Sequence, residues 1–291
     1  MRARNKARTA VLGRPVIDAH THPRLPGEAQ IGTAPHGHKD YLGKVEGVDV
    51  RYIAALVMAS AGDQSHTRRL NDKVLALGTE TGGRFYPVCS VHPADGKGAL
   101  KEIDRVAKAG ARALKLHPNT QQFDVADVRV TGVVQRAAAR RLPILFDAYS
   151  PFDANQPGKF VRLAMEVPEA RLILAHAHGP HFPDLLMYDI LARYPWWRRN
   201  VWIDLSATAS QLAQGPYAEQ FAWVCRKVGT DRLLFGSDYP LDDPMTALKA
   251  LESLGFTDAE LTGILYDNAA QLLGFPPAAP PRPLKRRTDR R

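Results

Sequence analysis

The chain has 291 residues, a formal net charge of +9 and two cysteines, Cys89 and Cys225, that lie far apart in the sequence. This length is sufficient for one or two domains with a large core. The cysteine usage argues against a disulfide framework and fits a reducing compartment. No apolar run approaches the ~18 residues of a membrane span, and the basic N-terminus lacks the apolar core of a secretory signal. We therefore expect a soluble, cytoplasmic protein.

The positive charge is concentrated at the two ends of the chain. Residues 1–14 contain five basic side chains and no acid, and residues 276–291 contain six basic side chains and one acid, which leaves the body close to neutral. Such segments are typical of solvated tails. We predict disordered tails over 1–14 and 276–291 and one domain over 15–275. Contact of the tails with nucleic acid or an acidic surface is the alternative.

The body alternates strand and helix patterns in chain order. Residues 16–23 form a short apolar strand that ends in His20 and His22, and the Gly- and Pro-rich segment Arg24–Asp40 is predicted to be a loop or lid. Further strands are predicted at 52–58, 85–91, 113–116, 143–146, 171–175, 201–205 and 232–235, with helices around 40–45 and at 70–81, 99–109, 128–141, 159–167, 184–194, 219–228, 245–253 and 258–273. This alternation predicts an α/β protein with a parallel sheet, and eight units match a closed (β/α)8 barrel. An open doubly wound sheet is the alternative, but it would place a Gly-rich phosphate motif where this chain has histidines.

Titratable side chains are concentrated where the predicted strands end, which is where such barrels carry their active sites. Of the ten histidines, six fall at these ends, together with a lysine and two aspartates: His20, His22, His92, Lys115, His117, Asp147, His176, His178 and Asp238. Since side chains alternate along a strand, His20 and His22 share a face and stand about 7 Å apart. Two imidazoles in this arrangement are suited to hold a metal ion, although two solvated histidines in a loop would give the same pattern.

Asp238 is the best candidate for a further ligand from across the barrel mouth. A carboxylate there can bind the metal and also accept a proton from metal-bound water, whose pKa falls to about 7. The alternative is that Asp238 is a turn residue after a strand, because the sequence Ser-Asp-Tyr-Pro is also typical of turns.

Five motifs resemble the amidohydrolase superfamily, and more closely its amidohydrolase-related branch of metal-dependent hydrolases, lactonases and decarboxylases. They are Asp-Ala-His-Thr-His-Pro (18–23), Lys-Leu-His-Pro (115–118), Leu-Ile-Leu-Ala-His (172–176), Phe-Gly-Ser-Asp-Tyr-Pro (235–240) and Asn-Ala-Ala-Gln-Leu-Leu-Gly (268–274). The resemblance spans residues 16 to 274. It implies a distorted (β/α)8 barrel and a divalent metal held by His20, His22, His176 and Asp238.

The chain departs from this pattern at the end of the fifth strand, where the branch usually has a histidine and this sequence has Asp147. Either Asp147 is an oxygen ligand, or it lies beside the metal and His176 completes the site. Binding by both Asp147 and Asp238 would favour an oxygen-preferring metal such as manganese. We expect zinc, with manganese as the alternative, and loss of tight metal binding as a third possibility.

Lys115, His117 and His92 would give the mouth an electropositive wall that binds an acidic substrate. Lys115 has two other interpretations. It would bridge two metals if it were carboxylated, as in binuclear relatives, or it would extend from the barrel rim to water.

The expected function is a metal-dependent hydrolase of a small carboxylated substrate. Metal-bound hydroxide would attack a carbonyl carbon of a C–O or C–N bond, with Asp238 as general base and acid and His176 as a metal ligand or carbonyl-polarising group. The alternatives are a metal-dependent non-oxidative decarboxylase on the same scaffold and an inactive binding barrel. We expect a small-molecule partner, no membrane or nucleic acid, and allow for a homo-oligomer. Trp196 and Trp197 are predicted to lie in the core or in an interface patch away from the mouth.

Overall fold

The computed structural model describes residues 13–28 and 36–278, which contain one eight-stranded parallel sheet with helices between the strands. The strands are β1 (Val16–Asp18), β2 (Val50–Leu56), β3 (Phe85–Ser90), β4 (Ala113–Leu116), β5 (Ile144–Asp147), β6 (Leu172–Ala175), β7 (Val201–Asp204) and β8 (Leu233–Leu234). They are arranged in the order β1 to β8, and each is parallel to the next.

The helices surround this sheet, as expected where each parallel strand is reached by a helical crossover. They are α1 (His38–Lys44), α2 (Gln64–Glu80), α3 (Lys97–Lys108), α4 (Val128–Ala139), α5 (Gln156–Glu166), α6 (Leu186–Leu191), α7 (Thr208–Leu212), α8 (Ala218–Val228), α9 (Pro244–Ser253), α10 (Asp258–Thr262) and α11 (Asn268–Leu273). None of the helices in the described ranges is long and apolar enough to cross a membrane.

The barrel is closed by the residues that follow β1 and β8. Asp238 N donates to His20 O at 2.8 Å, and His22 N donates to Tyr239 O at 2.6 Å. Thr21 and Tyr239 form a parallel bridge between these contacts. The predicted (β/α)8 barrel is therefore confirmed, and the segments that close it also carry three of the predicted metal ligands.

The C-terminal helices close the opposite end of the barrel. Tyr266, Leu272 and Leu273 pack in one cluster with apolar side chains from the barrel interior. Two arginines that precede strands, Arg112 and Arg171, donate to the carbonyls of Leu273 and Leu272 at the end of α11. Cations are favoured there because the last carbonyls of a helix carry partial negative charge.

Two predicted helices differ from the structure, and one observed helix was not predicted. The helix predicted at 184–194 is reduced to α6, because the preceding residues 176–185 form tight 3₁₀ turns that contain Pro180 and Pro183. The helix predicted at 258–273 consists of α10 and α11 joined by a π-helical turn, Gly263–Asp267. Helix α7 lies in a segment where no helix was predicted. The predicted tails lie mostly outside the described residues, as does part of the predicted lid.

We expect Asn268→Ala to lower the free energy of unfolding by about 1–3 kcal/mol. Asn268 Nδ2 donates to the carbonyls of Thr230 and Leu233 at 2.7 and 2.8 Å, which fixes the start of β8 against α11. Urea denaturation measures the change, and Gln271→Ala, which is exposed on the same helix, is the control. Equal stability of the two variants would contradict this role of Asn268.

Candidate active site

Polar side chains, most of them buried and titratable, converge from seven of the eight strands at the C-terminal mouth of the barrel. Because side chains alternate between the two faces of a strand, the last inward-facing side chain of each short strand lies at this end of the barrel. The group consists of Lys115 on β4, Asp147 on β5, Asp204 on β7, and His20, His22, Ser90, His176 and Asp238, which lie at or just beyond the ends of β1, β3, β6 and β8.

Three of these side chains form a compact group of possible metal ligands. One ligand atom from each of His20, His176 and Asp238 lies within 4.8 Å of the other two. His22 extends the group, since its Nε2 lies 3.2 Å from His20 Nε2 and 3.6 Å from Asp238 Oδ1. Two ligands bound to one ion through bonds of 2.0–2.2 Å are separated by about 3.4 Å. The spacing of these donors therefore fits a divalent cation.

Asp204 fixes the orientation and tautomer of His20. His20 Nδ1 donates to Asp204 Oδ2 at 2.6 Å, and both side chains are buried. The proton on Nδ1 leaves the Nε2 lone pair facing His22 and Asp238. A metal-binding histidine usually donates its other nitrogen to a carboxylate in this way.

Ser206 connects the first and sixth strands behind these histidines. Its Oγ donates to Asp204 Oδ2 at 2.8 Å and accepts from His176 Nδ1 at 3.0 Å. The His20 and His176 rings are stacked, with centroids 5.0 Å apart. One carboxylate and one hydroxyl thus orient two imidazoles.

The backbone is strained where it presents these side chains. His176, Ala177 and His178 have φ values of 61°, 45° and 61°, and Asp238 has a φ of 59°. Non-glycine residues in the left-handed region cost of order 1–3 kcal/mol each, and they cluster at functional sites.

Asp147 lies on the other side of His176 and contacts two imidazoles. Its Oδ2 is 3.3 Å from His176 Nε2 and 3.4 Å from His117 Nε2. Burial alone would raise the pKa of Asp147, but the hydrogen bond from His176 and the charge of Lys115 hold it well below the usual value. Asp147 is therefore an ionised carboxylate that is not part of the compact group of His20, His176 and Asp238.

Asp238 is also ionised, and the two histidines beside it are neutral. Burial would raise the pKa of Asp238, but the three surrounding histidines, His20, His22 and His176, lower it to about 2. Burial and the charge of Lys115 lower the pKa of His20 well below its usual value, and burial also lowers the pKa of His22. Neutral imidazoles and an ionised carboxylate are the states that bind a metal.

Lys115 is buried on the barrel interior with a side chain only 1% exposed. It does not reach the rim, so the interpretation of a lysine extending to water is wrong. Burial lowers its pKa, although Asp147, Asp238 and Asp204 oppose this effect. Within the part of the chain that the structure describes, no carboxylate lies within ion-pair distance of it.

Both ring nitrogens of His92 are already occupied by hydrogen bonds. His92 Nε2 donates to Gln121 O at 2.6 Å, and His92 Nδ1 accepts from Ala94 N at 3.1 Å. Both ring nitrogens hold backbone groups, so the predicted contact of His92 with substrate is corrected to a structural role. His117 does face the site, and burial lowers its pKa to about 4.

Asp204, Ser206 and Gly236 were not predicted as site residues. Asp204 ends an apolar strand, which is the same signal that identified Asp147, so a strand-end rule applied to every strand would have included it. Ser206 and Gly236 have no such signal, because their roles depend on contacts with residues distant in the sequence.

The sequence matches the family described as amidohydrolase over residues 17–275. The chain belongs to the amidohydrolase family. No curated protein matches it. This family assignment confirms the resemblance seen in the sequence motifs.

Solved structures with the same fold include proteins with different reactions. An uncharacterised TIM-barrel protein from Bordetella bronchiseptica has a TM-score of 0.70 at 17% identity, covering 89% of this chain and 98% of its own. A probable 2-pyrone-4,6-dicarboxylic acid hydrolase from Acinetobacter baumannii with citric acid bound has a TM-score of 0.64 at 16% identity, with coverages of 89% and 99%. A 5-carboxyvanillate decarboxylase from Novosphingobium aromaticivorans, complexed with manganese and 4-hydroxy-3-methoxy-5-nitrobenzoic acid, has a TM-score of 0.66 at 14% identity, with coverages of 91% and 97%. At these identities the likeness concerns the fold.

We expect Gly236→Ala to destabilise the protein by about 1–3 kcal/mol. A Cβ at this position would lie 2.5 Å from Asp204 Oδ1 and 2.8 Å from His20 Cβ, so the two buried side chains would have to separate. Thermal and urea unfolding measure the effect. Gly132→Ala in α4 is the matched control, because a Cβ there meets nothing within 4 Å, and it should be neutral or slightly stabilising. Equal stability of both variants would contradict the close packing of Asp204 on His20.

Proposed function

We propose that this chain is a metal-dependent hydrolase that cleaves a C–O or C–N bond in a small carboxylated substrate. The observation that carries the proposal is that ligand atoms of His20, His22 and Asp238 lie 3.2–3.6 Å from one another. Asp204 fixes the orientation of His20 in this group. Ligand atoms gathered at this spacing are stabilised by a shared cation once they are deprotonated. Family membership supports the same interpretation.

His20, His22 and Asp238 would hold the ion, and His176 would join them once its Nε2 releases the proton that it directs at Asp147. A donor set of three imidazoles and one carboxylate favours zinc, and manganese is the alternative if Asp147 also binds. When bound, such an ion polarises a substrate oxygen and lowers the pKa of water.

Asp238 is the proposed general base and acid. Its pKa of about 2 leaves it ionised at neutral pH, so it can accept a proton from the attacking water and return it to the leaving group. A decarboxylase on this scaffold would need Asp238 as an acid that protonates carbon. The assay for CO2 release described below distinguishes the two reactions.

Lys115 is the proposed receptor for the substrate carboxylate. It is a buried cation without a carboxylate partner among the described residues, so an incoming anion would supply the missing charge. His117 lies near Lys115, since both act on Asp147. Asp147 would keep His176 and His117 in place.

Metal content tests the first part of the proposal. Protein purified without added metal should contain about one zinc per chain by mass spectrometry. Asp238→Ala should lose the metal, Asp204→Asn should bind it about 10–100-fold more weakly, and Asp147→Asn should retain it. Loss of metal in Asp147→Asn would make Asp147 a ligand. Metal-free wild type that gains no activity with any added divalent ion would overturn the metal mechanism.

The reaction is tested with carboxylated lactones, amides and hydroxybenzoates. We expect acid release in a pH-stat without CO2 release, and a loss of about 10²–10⁴-fold in kcat for Asp238→Asn. Lys115→Met should raise KM for carboxylated substrates and leave KM for uncharged analogues unchanged, with an unaltered unfolding temperature. CO2 release without hydrolysis would establish the decarboxylase, and an equal loss on both substrate types would contradict the role of Lys115.

A further inference from the structure

The two ends of the barrel carry opposite charge. The connections that lead from a helix to the next strand cover residues 45–49, 81–84, 109–112, 140–143, 167–171, 192–200 and 229–232, and they contain nine arginines and four acids. The connections from strand to helix, around the candidate active site, contain ten acids and one arginine, Arg24. We call the arginine-rich end the basic face. It lies opposite the candidate active site.

Helix dipoles account for part of this separation. All the barrel helices that follow strands begin at the mouth, where Asp63, Asp127 and Asp243 accept hydrogen bonds from helix N-termini. They end at the basic face, where cations are favoured. This preference for cations at helix ends does not explain Arg141 and Arg198, which are exposed and have no partner among the residues described.

Several further arginines of the basic face are not neutralised. Arg84, Arg112 and Arg171 donate to the carbonyls of residues 50, 273 and 272. No carboxylate within the described ranges forms an ion pair with these three side chains. Their charge therefore contributes to a positive field at this end of the barrel.

Exposed aromatic side chains lie within the same face. The loop Arg193–Arg199 before β7 reads Arg-Tyr-Pro-Trp-Trp-Arg-Arg. Tyr194 and Trp196 are 49% and 50% exposed and stack on each other, with ring centroids 5.4 Å apart. Trp197 is buried against Tyr188 and anchors the loop.

Both basic tails join the barrel at this face. Strand β1 begins there at Val16, and the chain leaves at Ala278, which packs against the cluster that closes this end. Residues 1–12 contain four basic side chains and no acid, and residues 279–291 contain six basic side chains and one acid.

We propose that the basic face binds the surface of an anionic lipid membrane, with the candidate active site turned toward water. Exposed Trp and Tyr favour the headgroup region, and clustered arginines are attracted to anionic lipids. Single-stranded nucleic acid needs a groove and open aromatic faces on which bases stack. Here the arginines surround a closed barrel end, and Tyr194 and Trp196 cover each other. This proposal is independent of the proposed reaction.

Vesicle co-sedimentation of the full-length chain tests the proposal. We expect binding to phosphatidylcholine vesicles that contain phosphatidylserine, weakening with salt, and little binding to pure phosphatidylcholine. Arg141→Gln with Arg198→Gln should weaken binding by about 25-fold, since each basic residue near the surface contributes about fivefold. Tyr194→Ser with Trp196→Ser should weaken it by at least about tenfold.

Matched controls lie at the mouth. Lys39→Gln with Lys97→Gln removes two exposed positive charges there, and Phe152→Ser removes an aromatic side chain that is 89% exposed. Neither control should change vesicle binding, and all variants should keep the wild-type unfolding temperature. Unchanged binding in both basic-face variants would assign binding to the tails alone and overturn the proposal. Binding to a single-stranded RNA oligonucleotide with none to vesicles, or binding to neither, would also overturn it.

Discussion

The buried hydrogen bond between His20 and Asp204 is the contact on which the site depends. It joins the first strand to the seventh across the barrel mouth, at 2.6 Å between two buried side chains. Burial raises the pKa of Asp204, and its hydrogen bonds with Ser206 oppose this effect. The chain maintains a costly carboxylate here because that group determines which nitrogen of His20 faces the mouth. Gly236 makes the contact possible, since a larger residue would occupy the same space.

Much of the fold could be predicted from the sequence, because barrel strands buried on both faces are short apolar runs that end in polar residues. The predicted strand at 113–116 has the observed bounds, and the others agree to within a few residues. Helix ends near proline and the π-helical turn at Gly263–Asp267 were not predicted. Their geometry is determined by packing against the closed barrel end, which local residue patterns do not specify.

Part of the site could also be predicted from the polar residues at the strand ends. Strand ends identify which side chains lie near the mouth, so His20, Lys115, Asp147 and Asp238 all face it. Sequence position does not show what a ring nitrogen contacts. His92 follows a strand, yet both of its ring nitrogens form hydrogen bonds with backbone groups. The contacts that distinguish His92 from His117 are made with residues in other connections of the barrel, so they become evident only in three dimensions.

The seam between β1 and β8 has a consequence for the biogenesis of this protein. His20 and Asp238 meet through the backbone contacts that close the ring of strands, yet the ribosome makes them at opposite ends of the barrel sequence. In the proposed metal site, the full set of ligands would therefore form only after the last strand has emerged and docked. A nascent or truncated chain that lacks β8 would expose His20 and His22 without their carboxylate. Metal occupancy in cells would then report on completed synthesis and closure.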